Sequence, residues 1–264
     1  MKNVIFPVIK VPIEDLGIKG YHARSGITHA VVVKKDQLVN FCSEDYYLRT
    51  NESVIRQISE ALTKAGLTFE VKGVNFRNVR FKIEFILKTT EFDLAAYGIN
   101  DPIAMTIRIM NSYDGSQRYH GSVGVLRLVC TNGLATEKEL AKILLSHTPQ
   151  LTDDLDIDKL LANIDTVAHD MEGMSEAYFD LMDNKVRDMG SYLLDLVDEL
   201  ELPKAIGEMA VERAAIEMGE YGYPSTDWIA YNSINYALNH GNDSLIGRKA
   251  ENFDQRVFNH LLGV

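Results

Sequence analysis

The chain has 264 residues, of which 46% are hydrophobic and 25% charged, and its formal net charge is -11. This composition predicts a soluble globular protein with a core for one large or two smaller domains. No apolar run approaches the roughly 18 residues of a membrane span, and the N-terminus lacks the apolar stretch of a signal peptide, so we expect a cytoplasmic protein. The two cysteines, Cys42 and Cys130, predict neither a disulfide framework nor a zinc site.

Strand-like runs dominate the first 150 residues. Two helices interrupt them, one at residues 52–65, with Asn51 as its N-cap and Gly66 at its end, and one at residues 136–147, which opens with a capping-box pattern. Strands are predicted at residues 3–11, 27–33, 38–43, 67–74, 78–88, 103–111 and 118–130.

Two turn signals organise the end of this strand-rich part. The pair Asp114-Gly115 favours the positive φ angles of a tight turn, which predicts a hairpin of the strands at 103–111 and 118–130. The pair Asn132-Gly133 predicts a second turn where the second strand ends. We therefore expect a β-hairpin that leads directly into the helix at 136–147.

The apolar period becomes helical in the second half of the chain. One long helix from about residue 157 to 182, bent at Gly173 or Gly190, is the simplest account of apolar residues at every third or fourth position. Further helices are predicted at 203–219, 226–240 and 244–262. A loop near residues 148–154 marks the boundary, so the prediction is an α+β sheet domain at 1–150 and an acidic helical domain at 151–264.

Charge divides at the same place. Residues 1–150 hold 19 Lys and Arg against 15 Asp and Glu, whereas residues 151–264 hold 8 against 23. Such a split indicates different surfaces for different partners, with the basic part as the candidate for polyanions. Two solvated surfaces of unequal charge explain the numbers equally well.

The run from Arg77 to Lys88 carries the clearest functional pattern. Its alternation places apolar residues on one face and Arg80, Lys82, Glu84, Ile86 and Lys88 on the other. A strand that is apolar inward and basic outward is suited to a phosphate backbone, although many solvated sheet faces share the pattern. The candidate nucleic-acid-binding residues are Arg77, Arg80, Lys82, Arg108, Arg118, Tyr119 and Arg127.

Two of these candidates are predicted for separate reasons. Tyr119, with Arg118, lies at the hairpin tip, where an aromatic ring could stack on a base. Arg127 shares a strand face with Val123 and Val125, so it is expected to be partly covered and to need an anionic partner, either DNA or a carboxylate.

Enzyme signatures are weak. The chain contains neither the dinucleotide-binding fingerprint nor a phosphate-binding Walker sequence, and no serine or cysteine lies in a recognisable nucleophile context. His169, Glu172 and Glu176 could share a metal on one helix, but an exposed polar stripe explains them better. We expect a protein that is not an enzyme, with no catalytic residue, metal or cofactor.

Several motifs together resemble a known family. They are Leu38-Val-Asn-Phe-Cys-Ser43, the strand from Val79 to Leu87, Asn111-Ser-Tyr-Asp-Gly-Ser116, Leu126-Arg-Leu-Val-Cys-Thr-Asn-Gly-Leu134, and Trp228-Ile-Ala-Tyr-Asn232 with Asn235, His240 and Arg248. Their order resembles the phage/plasmid-like protein family known as domain of unknown function 932. The resemblance implies an origin on a phage, plasmid or other mobile element and supplies no catalytic residue.

A more distant resemblance concerns function. Strands 78–88, 103–111 and 118–130 followed by helix 136–147 form a β-β-β-α order that resembles the core of the Rad52-like single-strand annealing proteins. That resemblance implies a homo-oligomer that holds single-stranded DNA in a basic groove and pairs it with its complement. It is an analogy of fold, from which function does not follow directly.

The sequence as a whole predicts a single-stranded DNA-binding protein of a mobile element, in the host cytoplasm, with strand annealing in recombination as the activity that the distant resemblance adds. The alternative is a non-enzymatic phage protein whose acidic helical region binds a host or phage protein.

Overall fold

The computed structural model describes residues 3–17, 26–76, 78–94, 96–117, 119–128, 132–134, 141–145, 162, 176–241 and 248–263. The chain folds into two compact units. The first, here the sheet unit, comprises Met1–Thr89, Thr106–Val123 and Ala141–Ile164, and the second, here the helical unit, comprises Thr90–Met105, Gly124–Leu140 and Asp165–Val264. The boundary predicted near residues 148–154 lies outside the described residues and stays a prediction.

Two antiparallel sheets build the sheet unit. The smaller sheet has the order β1-β2-β3, from Val8–Pro12, His29–Val33 and Gln37–Cys42. The larger sheet has the order β10-β8-β7-β5-β4, in which β4 is Phe69–Phe76, β5 is Arg80–Leu87, β7 is Pro102–Ser112, β8 is Tyr119–Arg127 and β10 is Ala141–Leu145. Of β7 and β8, this unit holds residues 106–112 and 119–123.

Strand β5 provides the centre of the core in this unit. Its alternate residues Phe81, Ile83, Phe85 and Leu87 are fully buried, as the period-two pattern predicts. The ring of Phe81 belongs to a core cluster with Val31, Val33 and Cys42 of the smaller sheet, and Ile55 packs against the same cluster. The core face of β5 therefore lies toward the smaller sheet and the first helix.

That first helix, α1, spans Asn51–Lys64 and confirms the prediction for residues 52–65. Its buried residues Val54, Ile58 and Leu62 recur every fourth position and form a single apolar stripe. The N-cap is Thr50 rather than Asn51, because the Thr50 hydroxyl accepts a hydrogen bond from the Ser53 N–H at 3.2 Å. The Asn51 side chain donates instead to the carbonyl of Val4 at 2.9 Å.

The predicted hairpin turn at Asp114-Gly115 is confirmed. Gly115 has a φ of 72°, and the Asp114 carboxylate accepts a hydrogen bond from the Ser116 N–H at 3.0 Å. The turn predicted at Asn132-Gly133 is wrong, because Asn132–Leu134 forms strand β9, in which Asn132 pairs with Arg127 of β8.

The helix predicted at 136–147 is wrong over residues 141–145. These residues form β10, which pairs with β8 from Ala141 opposite Val123 to Leu145 opposite Tyr119. A five-residue run such as Ala-Lys-Ile-Leu-Leu suits a strand as well as a helix, and the hydrogen-bonding edge of β8 decides between them. The α+β class is confirmed, but the helix of the expected β-β-β-α order is a strand here.

Helices make up most of the described part of the helical unit. They are α2 (residues 176–183), α3 (Met189–Glu199), α4 (Lys204–Glu220), α5 (Asp227–His240) and α6 (Arg248–Leu262). The predictions for 203–219 and 226–240 are confirmed to within a few residues at each end, and the prediction for 244–262 is confirmed over the described residues 248–262. No helix in the described ranges is long and apolar enough to cross a membrane.

The centre of the helical unit is α5, which is buried on nearly every side. Trp228, Tyr231 and Ile234 are fully buried, as expected of a helix surrounded by other elements. The strand pairs β6–β7, in which β6 is Phe92–Asp93, and β8–β9 also belong to this unit. From β7 and β8, Ile103 and Val125 join the same core.

The long helix predicted from 157 to 182 is only partly described. Residues 176–182 are helical, as is Ala162, and the other residues of that prediction lie outside the described ranges. The chain does not continue as one helix to Gly190, because residues 184–188 separate α2 from α3. The Asp188 carboxylate begins α3 as its N-cap by accepting the Ser191 N–H at 3.2 Å.

Candidate nucleic-acid interface

Strand register places three of the predicted basic residues on one face of the larger sheet. Glu84 of β5 lies between Lys72 of β4 and Arg108 of β7, which are its Cα partners on the two sides. Residues directly opposite each other in antiparallel strands point to the same face. Arg80 and Lys82 alternate with Glu84 along β5, so they share this face, which is opposite to the core face of Phe81.

A buried carboxylate lies at the middle of this face. Glu84 accepts a hydrogen bond from Nε of Arg108 at 3.1 Å, and Nζ of Lys82 is 3.5 Å from the same oxygen. Burial opposes ionisation of Glu84, but the charges and hydrogen bonds of Arg108 and Lys82 outweigh it, so the pKa of Glu84 is lower than usual. Glu84 is therefore ionised at neutral pH and holds both cations in place.

The edge of the same face is more exposed. The side chains of Lys72 and Lys88 are each 40% exposed, and their Nζ atoms lie 3.8 and 3.6 Å from the carboxylate of Glu70. We call the set Lys72, Arg80, Lys82, Lys88 and Arg108, with Glu70 and Glu84, the basic face. Five cations and two carboxylates leave it with three formal positive charges.

Exposure varies across the basic face. Lys82 and Arg108 are only 16% and 17% exposed, and Thr106 and Met110 of β7, which lie on the same side of the sheet, are buried. Val74 of β4 is exposed, and the Lys72 side chain is 40% exposed. Glu84 and Ile86 of β5 are buried, so a ligand would reach the face along β4 rather than over β5 or β7.

Arg80 differs from Lys82 of the same strand in having no carboxylate partner among the described residues. It is half-buried, and its Nε is shielded from solvent without a hydrogen-bond partner in the described structure. A guanidinium group with an unused donor is suited to bind an oxyanion. Arg77 and Arg118, which were also predicted to contact nucleic acid, lie outside the described residues.

Tyr119 and Arg127 are in the interior rather than on the basic face. The ring of Tyr119 is buried, and the guanidinium of Arg49 lies over it at 4.5 Å. Arg127 is 0% exposed, with its Nε 2.7 Å from Asp101 and its Nη1 2.7 Å from Glu217. The sequence led us to expect either DNA or a carboxylate as the anionic partner of Arg127, and in the structure its partners are carboxylates.

Arg127 belongs to a buried charge network of the helical unit, defined as Arg127, Asp101, Glu217 and Arg213. Nε of Arg213 donates to the second oxygen of Glu217 at 3.0 Å, and the indole N–H of Trp228 donates to Asp101 at 3.0 Å. Two cations and two carboxylates balance within this network. Such pairing is what an interior requires, because an unpaired buried charge costs several kcal/mol.

Two features of the basic face were not predicted from the sequence, namely the presence of Lys72 and the burial of Glu84. Lys72 follows the same alternation as β5, so the period of β4 could have placed it on the basic face. Glu84 was predicted on this face, but its burial and its two ion pairs depend on neighbouring strands. Within the described residues, no group of three or more His, Cys, Asp or Glu could hold a metal, and His169 and Glu172 lie outside those residues.

The fold and this face define an α+β protein with a basic sheet surface and a separate helical unit. The chain belongs to the family described as Domain of unknown function (DUF932), which it matches over residues 39–260. This match confirms the family resemblance seen in the sequence. No solved structure gives a significant match to the chain.

Proposed function

We propose that the protein binds single-stranded DNA on the basic face and anneals complementary strands as a homo-oligomer. The observation that carries the proposal is the alignment of Lys72, Arg80 and Lys88 along the basic face, where Arg80 has an Nε donor that is unused among the described residues. Neutralising phosphates by Lys and Arg provides most of the affinity of sequence-independent binding. No acid or base catalyst is needed, since annealing requires only that two strands be held together.

The burial of the candidates determines their roles in this proposal. Lys72, Lys88 and Arg80 contact phosphates, because the two lysine side chains are each 40% exposed and Arg80 has a donor without a partner among the described residues. Lys82 and Arg108 add positive potential from beneath, since Glu84 fixes both of them. Arg127 and Tyr119 are part of the interior and make no contact with the strand.

The annealing step is supported less directly than the binding step. Strands β8, β7 and β5 are consecutive neighbours in an antiparallel sheet, as the resemblance to Rad52-like proteins implies. Residues 141–145, which the same resemblance assigns to a helix, form β10. The proposal of annealing, and of an origin on a phage or other mobile element, therefore depends on resemblance, whereas the proposal of strand binding depends on the basic face.

Fluorescence anisotropy of a labelled single strand, titrated at several salt concentrations, tests strand binding. If the three cations Lys72, Arg80 and Lys88 each neutralise a phosphate, log K should fall with log salt at a slope of about -2. Arg80→Gln should make that slope shallower by about 0.7, because one phosphate contact is removed. The matched control is Arg56→Gln, whose arginine is 63% exposed on α1, the helix on the core side of the sheet.

Duplex DNA of the same length is the second control. Weaker binding to the duplex, with the Arg80→Gln effect confined to the single strand, is the expected pattern. No binding at low salt, or equal effects of Arg80→Gln and Arg56→Gln, would remove the basic face as the site. If binding is confirmed, mixing two labelled complementary strands with the protein measures annealing directly.

A second candidate function is binding of a host or phage protein by the acidic helices. It is favoured by the exposed surface of α3 and α4, where Leu194 is 48% exposed among acids. The exposed acids of these helices are Asp195, Asp198, Glu199, Glu208, Glu212 and Glu220. If this alternative is correct, the protein does not bind single-stranded DNA at physiological salt. Its acidic surface instead competes with DNA for a basic site on the partner protein.

A further inference from the structure

Arg49 of the sheet unit is buried without an anionic partner among the described residues. Arg49 is 1% exposed, and its Nη2 donates to the side-chain oxygen of Gln57 at 3.0 Å. Its guanidinium carbon lies 4.5 Å from the centre of the Tyr119 ring. Its Nε and Nη1 are buried and have no hydrogen-bond partner among the described residues.

This environment is unusual for a guanidinium group. Nε and Nη1 together carry three N–H donors, and an arginine cannot release its charge by deprotonation. A neutral amide and an aromatic ring compensate only part of the cost of burying a cation, since a desolvated cation–π contact contributes about 2 kcal/mol. Arg127 of the helical unit, by contrast, has a carboxylate on each side.

The position of Arg49 in the chain adds positive potential. It immediately precedes Thr50, the N-cap of the 14-residue helix α1, so the positive end of the helix dipole is close to it. Glu52, the acid in the first turn of α1, is exposed. The charge near Arg49 therefore favours an anion that the described residues do not supply.

We propose that Arg49, with Gln57 and Tyr119, forms a binding site for a small oxyanion of the phosphate class. The guanidinium would donate through Nε and Nη1 to two or more oxygens, as arginine does with phosphates. Residues 43–50, between β3 and α1, have no helix or strand, and this loop would have to open to admit a small ion to Arg49. The site shares no residue with the basic face. A test of phosphate binding at Arg49 therefore does not depend on whether the basic face binds single-stranded DNA.

Thermal unfolding of the full chain in inorganic phosphate, against chloride at matched ionic strength, tests this proposal. The wild-type Tm should rise and continue to rise by about 3 °C for each tenfold excess of phosphate over its Kd. Arg49→Met should abolish the phosphate effect. In chloride, Arg49→Met should be at least as stable as the wild type, because an apolar side chain replaces an unpaired buried charge.

Arg56→Met is the matched control, since it removes an exposed arginine from the same unit. It should keep the phosphate shift of the wild type. If Arg49→Met does not fold, Arg49→Lys replaces it, and a Tm shift reduced to less than half is expected because the fork geometry is lost. No shift in the wild type, or an equal shift in the Arg49 variant, overturns the proposal.

The source of the phosphate group can be distinguished in the same assay. A nucleoside 5′-monophosphate is compared with the nucleoside and with inorganic phosphate. A shift with both phosphate compounds, and none with the nucleoside, assigns the site to phosphomonoesters. A shift with inorganic phosphate alone assigns it to the free ion.

Discussion

The basic face of the sheet unit and the buried charge network of the helical unit use the same residue types in opposite ways. In the network, Arg127 and Arg213 are matched by Asp101 and Glu217, and the groups are buried. On the basic face, five cations share two carboxylates, and several side chains are exposed. Buried charges that are balanced by partners hold helices and strands together, whereas exposed charges in excess of their partners attract a ligand of opposite charge.

The largest expected effect comes from breaking the balance of the network. Glu217→Gln keeps the shape of the side chain but leaves Arg127 and Arg213 each short of a carboxylate. Removing one partner of a buried ion pair costs about 3–5 kcal/mol, and urea unfolding measures the loss. Glu212→Gln on the same helix removes an exposed glutamate and should change the unfolding free energy by less than about 0.5 kcal/mol. Equal urea midpoints for the two variants would contradict a structural role for the network.

The next effect should appear in binding and not in stability. Reversing two cations of the basic face that are proposed to contact phosphates, with Arg80→Glu and Lys72→Glu together, should weaken single-strand binding by about tenfold or more. The urea midpoint should stay within the range of ordinary surface substitutions. A double variant with a lower urea midpoint but normal single-strand binding would instead give these two residues a structural role and no role in binding.

The pH dependence of stability sharpens the role of Glu84. Its pKa is lowered in the folded protein, so its contribution to stability is present above the unfolded value of about 4.3 and is lost as pH falls through the lower folded value. The difference in unfolding free energy between the wild type and Glu84→Gln should therefore be largest near neutral pH. It should shrink in acid, and a difference that is constant with pH would show that the ion pairs with Arg108 and Lys82 do not stabilise the fold.

The smallest expected effect concerns a local cap in the sheet unit. Thr50→Ala removes the oxygen that accepts the Ser53 N–H at the start of α1, which should cost about 1 kcal/mol in urea unfolding. Thr50→Ser should restore most of that loss, because serine caps a helix as well as threonine does. A loss as large as that of Glu217→Gln would mean that the start of α1 has a larger role than capping.

Local pattern was sufficient to predict many elements of the fold. The alternation from Phe81 to Leu87 predicted the core face of β5, and the helix predicted at 226–240 matches α5 to within one residue, because these signals depend on neighbours in sequence. β10 could not be predicted in the same way. Its five residues suit two structures, and the pairing with β8 that decides between them involves residues about twenty positions earlier in the chain.

The residues of the candidate site also divide into those that local sequence patterns predict and those whose environment depends on distant residues. Alternation placed Arg80 and Lys82 together, whereas Arg108 comes to the same face through the pairing of β5 with β7. The environment of Arg127 could not be derived, because Asp101 and Glu217 lie 26 and 90 residues away in sequence. Arg49 carried no signal at all, since its burial depends on Tyr119 and Gln57, which come from a strand and a helix beyond it.

The two units are interleaved along the chain, and this has a practical consequence for fragments. A fragment ending at residue 150 would keep segments 90–105 and 124–140 but lose the helices that cover them. Leu94, Ile103 and Val125 would then be exposed to water, since they belong to the core built with those helices. Such a fragment should aggregate during expression, so neither unit is a suitable stand-alone product of truncation, and dissection of the protein requires point variants of the full chain.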